Sequence, residues 1–137
     1  MLSQEEAKQL LEMAFEAEMR ILEETVGGPY RNSRKGAVKS YQKSKMTEKF
    51  MRVQTEENLY PTAWEHMQSV RAACILDEKD HLILTVGSGI GGTNPAVVEL
   101  CFRNDGLEIG AWAKEGFIKL HTAEKAIEAC LSALTLR

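Results

Sequence analysis

Between Val70 and Ala111 the apolar residues fall on every second position, and this alternation constrains the chain more than any other feature. Val70, Ala72, Cys74 and Leu76 share one side of an extended segment, and Leu82, Leu84 and Val86 share one side of the next. Beyond a glycine-rich stretch, Val98, Leu100 and Phe102 alternate with Glu99, Cys101 and Arg103, and Leu107, Ile109 and Ala111 repeat the pattern. A period of two is that of a strand with one face buried. The turn signals "DEKD" at 77–80 and "NDG" at 104–106 leave no room for crossover helices, so four antiparallel strands in a meander are predicted. A short fifth strand, "FIKL" at 117–120, is expected to close the edge.

Both flanks of this region have helical spacing. Near the N-terminus, Ala7, Leu10, Leu11, Ala14, Ala17, Ile21 and Leu22 recur on one face, widened by Phe15, Met19 and Val26. Ser3 and Glu6 have the spacing of a capping box, and "GGP" at 27–29 ends the segment. The apolar face is wide enough for part of it to serve as a dimer seam. At the other end, Thr122 is the expected cap of a helix lined by Ala123, Ala126, Ile127, Cys130, Leu131 and Leu134. Two apolar helices and a sheet with one apolar face satisfy each other's need for burial. The predicted fold is a single α+β domain over residues 1–137, of two layers, with a meander sheet of four to five strands packed against the N- and C-terminal helices.

A basic segment separates the first helix from the sheet. Arg31, Arg34, Lys35, Lys39, Lys43, Lys45, Lys49 and Arg52 lie there with a single acid, Glu48, in a chain of net charge −3. One continuous helix over 33–53 would set Met46, Phe50 and Val53 among the lysines, so a mobile loop is predicted, then a shorter helix from Thr47 with Met46 stapled on Met51. That helix should stop before Pro61, and Thr62 with Glu65 suggests a capping box for the next turn, "AWEHM". Positive charge interleaved with Tyr30, Tyr41 and Phe50 suits a nucleic-acid backbone or an acidic protein; otherwise it is a solvated segment balancing the acidic remainder.

Gly87, Gly89 and Gly92 have the G-x-G-x-x-G spacing of a dinucleotide-binding loop, with Gly91 between them. Such a loop needs a helix behind it to receive the pyrophosphate. The following "AVVELCF" is rich in β-branched residues and runs straight into the "NDG" turn, which predicts a strand there and a connection between strands instead of a cofactor loop. Binding of a small anionic ligand or nucleotide at these glycines is kept as an alternative.

Other chemistry is sparse. His66, His81 and His121 are widely separated and show no metal-ligand spacing, so neither a metal nor a cofactor is expected, and His81 and His121 read as surface residues. Cys74, Cys101 and Cys130 sit singly in apolar runs and read as reduced core residues. A Cys101–histidine nucleophile would need an electropositive setting that the neighbouring residues do not supply. No apolar stretch is long enough to span a bilayer, and "MLSQEEAKQLL" lacks a signal-peptide layout. The sequence therefore predicts a cytoplasmic, non-catalytic protein that acts through protein contacts, with itself as homodimer or with another protein. The alternatives are a nucleic-acid-binding accessory protein using residues 31–52 and a ligand binder using residues 87–94.

Overall fold

In the computed structural model the described residues are 1–26, 29–67, 70, 72–87, 94–115 and 120–135, with the backbone alone for 25–26 and 29–35. Along the chain run α1 (Gln4–Val26), α2 (Pro29–Lys43), β1 (Lys45–Gln54), α3 (Tyr60–Met67), β2 (Ala72–Glu78), β3 (His81–Val86), β4 (Ala96–Phe102), β5 (Gly106–Glu115) and α4 (Thr122–Ala133). The strands form one antiparallel sheet in the order β1-β5-β4-β3-β2. The α+β class and the four-strand meander are as the alternation implies. No helix among the described residues is long and apolar enough to cross a membrane.

The sheet is covered on both faces. Leu82, Leu84, Val98, Leu100, Leu107 and Ile109 point to one side, where α4 contributes Ala123, Ala126, Ile127 and Cys130 and α3 contributes Ala63 and Met67. The intervening Ile83, Val97 and Trp112 point to the other side, against Ala7 and Leu11 of α1 and Tyr41 of α2. The sheet is thus the middle of three layers, which corrects the expected two: α1 and α4 pack on opposite faces instead of sharing one. Apolar residues at alternate-face positions such as Val97 and Trp112 make this possible, because a central strand buried on both sides must be apolar on both.

Local chemistry explains most element ends. Ser3 accepts a hydrogen bond from the Glu6 amide at 3.1 Å through its hydroxyl, and the Glu6 carboxylate accepts one from the Ser3 amide at 3.0 Å, the capping box read from the sequence. The turn between β2 and β3 uses Lys79 and Asp80 with φ of 30° and 63°, the positive pair that a two-residue hairpin requires. Asn58 accepts a hydrogen bond from the Tyr60 amide at 2.9 Å, so α3 starts ahead of the expected Thr62 cap and carries Pro61 in its first turn. At α4, Thr122 is the first helical residue rather than the cap; its amide donates to the Glu115 carboxylate at 2.7 Å, and the capping position is His121 in the left-handed region.

Four further expectations are corrected. Residues from Pro29 to Lys43 form a helix instead of a loop, and residues from Lys45 to Gln54 form a strand instead of a helix starting at Thr47. The open edge of β5 decides the second case. Ten consecutive residues of β1 pair with it in unbroken register from Lys45–Glu115 to Gln54–Gly106, a long-range pairing that outweighs local propensity. β2 also departs from strict alternation: a bulge between Cys74 and Leu76 turns Leu76 toward the α1 face while Val70 and Ala72 remain on the α4 face. Cys74 is exposed on this edge strand rather than in the core. The fifth strand expected at 117–120 falls on residues outside the described ones, apart from Leu120, which is not in a strand.

Candidate functional site

On the α1 face of the sheet, β3 and β4 pair with His81 directly opposite Cys101. Glu99 stands two residues before Cys101 on the same strand and therefore on the same face. Its side chain is buried, with the residue only 1% exposed. One carboxylate oxygen, Oε1, accepts a hydrogen bond from the Leu2 amide at 2.7 Å, and Oε2 lies 2.5 Å from His81 Nε2. The His81 nitrogen, a Glu99 oxygen and the Cys101 sulfur all lie within 4.8 Å of one another. His81 and Cys101 are half-buried, so the group opens to solvent on one side.

This arrangement does not make Cys101 an activated nucleophile. Burial, and after it the negative charge of Glu99, push the Cys101 thiol above its ordinary value, which favours the protonated and unreactive form. His81 directs Nε2 to the carboxylate instead of standing as a general base toward the sulfur. What the three groups offer is a set of nitrogen, oxygen and sulfur donors around one point, together with a tether on the start of α1.

A second polar assembly holds α1 and α2 in place. Lys114 of β5 is buried, and its ammonium donates to the Tyr41 and Gln42 carbonyls at 3.0 and 3.1 Å and pairs with Glu12 at 3.1 Å. Two of those acceptors are last-turn carbonyls of α2, of which that of Tyr41 also accepts from the Ser44 amide at 3.1 Å just past the helix, so the lysine closes its negative end. The Phe15 and Tyr41 rings stack at 4.1 Å, with the Lys114 ammonium 5.0 Å from the Tyr41 ring centre. Glu48 of β1 accepts from Trp112 Nε1 at 3.2 Å and from Gln4 at 3.1 Å, a further link between the edge strand and the first turn of α1.

The residues singled out from the sequence are spread over several elements. Arg31, Arg34 and Lys35 belong to the first half of α2, where the side chains are outside the described ones. Lys39 and Lys43 are exposed on α2, and Lys45, Lys49 and Arg52 are exposed on β1. The pairing register sets Lys45 and Lys49 on the α4 face of that strand and Arg52 on the α1 face, opposite Glu108. Gly89, Gly91 and Gly92 lie outside the described residues. Gly87 follows β3 and borders a hollow of about 220 Å³ with Val86, Ala96, Thr122, Lys125 and Ala126. All seven positions from Ala96 to Phe102 are strand, so no helix stands behind the glycines.

α1 also presents an apolar stripe away from the sheet. Met13, Ala17 and Ile21 repeat every fourth residue, and Met13 and Ile21 are 67% and 55% exposed. Glu16, Arg20 and Glu24 border the stripe, with Glu16 and Arg20 paired at 2.9 Å. Alternation in β4 already sets Glu99 and Cys101 on one face. Their meeting with His81 was not legible, because the register between β3 and β4 depends on a glycine-rich connection whose sequence specifies no turn length. Comparison with known proteins finds no family model, curated protein or solved structure that matches this chain.

Proposed function

We propose that the chain acts in the cytoplasm as a non-catalytic protein that pairs with a second copy of itself along α1. The observation that carries this reading is the exposed stripe of Met13, Ala17 and Ile21 on a helix whose opposite face is buried against the sheet. Met13 and Ile21 stand four residues to either side of Ala17, about 6 Å along the axis in each direction. Two copies crossing antiparallel at Ala17 therefore lay Met13 of each on Ile21 of the other, the self-complementarity that a two-fold contact requires. Ala17 lets the helices approach closely, and the Glu16–Arg20 pair keeps the rim from presenting one sign of charge. Three free thiols, with Cys74 exposed, fit a reducing compartment.

Sedimentation over a range of concentrations tests this. The wild type is expected to associate, and Ala17→Glu to remain monomeric with an unchanged circular dichroism spectrum. A wild type that stays monomeric throughout would overturn the reading.

One observation favours a second reading. Lys39, Lys43, Lys45, Lys49 and Arg52 are all exposed on the consecutive elements α2 and β1, which suits contact with a nucleic-acid backbone. Retention on heparin that falls with salt and is lost in Lys39→Glu/Lys43→Glu would support it.

A further inference from the structure

We propose that His81, Glu99 and Cys101 form a binding site for a divalent transition metal of the zinc type. The inference is independent of self-association through α1, which uses other residues.

Three observations point to it. The donor atoms already converge: imidazole nitrogen, carboxylate oxygen and thiol sulfur lie within 4.8 Å of one another, whereas tetrahedral coordination at about 2.0–2.3 Å asks for mutual separations of about 3.3–3.5 Å. Small rotations of half-buried His81 and Cys101 supply the difference. Charge matches as well: a carboxylate, a thiolate and a neutral imidazole balance a doubly charged cation, so the loaded site is neutral beside a buried strand. Finally, the carboxylate is aimed. The Leu2 amide holds Glu99 Oε1 at 2.7 Å and leaves Oε2 turned to His81, the outer-sphere orientation that metal-binding carboxylates receive.

Binding proceeds by exchange of protons for metal. The ion takes the place of the hydrogen between His81 Nε2 and Glu99 Oε2, the imidazole keeping one proton on Nδ1 by exchange with solvent and so staying neutral, and Cys101 gives up its thiol proton to solvent as the metal–sulfur bond forms. A water from the open side completes four-coordination. The sulfur and nitrogen donors select zinc, cobalt or a similar ion over magnesium or calcium, which prefer oxygen alone.

The full chain, reduced and handled without oxygen, is titrated with cobalt(II) and then with zinc. Wild type is expected to develop visible ligand-field bands together with a near-ultraviolet sulfur-to-cobalt charge-transfer band, both removed by zinc. Cys101→Ser should lose the charge-transfer band while keeping its circular dichroism spectrum. His81→Ala should bind roughly 10–100-fold more weakly, and Cys74→Ser should behave as wild type. A zinc-dependent rise in melting temperature should accompany binding in wild type and be absent in Cys101→Ser. The proposal is overturned if no charge-transfer band forms with cobalt in large excess, or if the band survives Cys101→Ser and disappears in Cys74→Ser.

Discussion

At Gly110 the absent side chain is what lets Trp112 lie back along β5. A Cβ there would stand 2.8 Å from Trp112 Cη2, 3.0 Å from Met1 Sδ and 3.2 Å from Phe50 Cε1. Met1 and Phe50 are exposed and can yield; Trp112 is fully buried and edge-on to Phe50 at 5.6 Å, so it cannot. Gly110→Ala is therefore expected to destabilise the fold by about 1–3 kcal/mol, read as a lower urea midpoint at unchanged slope. Tyr41 gives the opposite sign. Its hydroxyl is buried with no hydrogen-bond partner among the described residues, and burial, followed by the nearby Glu12 charge, holds the phenol protonated far above its usual range. Tyr41→Phe keeps the ring stacked on Phe15 and removes the unsatisfied oxygen, so it should leave stability unchanged or raise it by up to about 1 kcal/mol. A clear loss in the same urea experiment would show that the hydroxyl is satisfied in solution.

Among the elements, α1 depends on its capping box. Ser3→Ala should cost about 1 kcal/mol by removing the acceptor for the Glu6 amide. Glu6 adds a pH dependence: hydrogen bonds from the Ser3 backbone and then its side chain hold the carboxyl below its usual 4.5. A lowered folded value means that the contribution is present above pH 4.5 and is lost as pH falls from there through the lower folded value. The melting-temperature deficit of Glu6→Ala should therefore be visible at neutral pH and close on acidification. This cap, the β4–β5 hairpin and the α4 face were legible because their determinants lie within a few residues of one another. β1 and α2 were not: β1 is a strand because β5 offers an edge, and α2 ends where the distant Lys114 ammonium reaches its carbonyls. The same holds for His81, whose neighbours come from the far side of the glycine stretch.

For the whole molecule, the division of helices between two faces grades the three thiols by depth. Cys74 is exposed at the β2 bulge, Cys101 is half-buried under the start of α1, and Cys130 is buried on α4, where desolvation raises its thiol to about 12. A disulfide reagent at neutral pH should modify Cys74 first and Cys101 more slowly, and should reach Cys130 only when the protein unfolds. Rapid labelling of Cys130 in the native protein would contradict the described core. The order of strands has a consequence for how such a chain is made. β1 leaves the ribosome before any of the meander, yet its partner β5 is the last of the described strands to be translated. Until then Phe50 and Met51 have no β5 to pair beside, and the lysines and arginine spaced among them are the kind of charge that opposes pairing of an exposed ribbon with a neighbouring polypeptide.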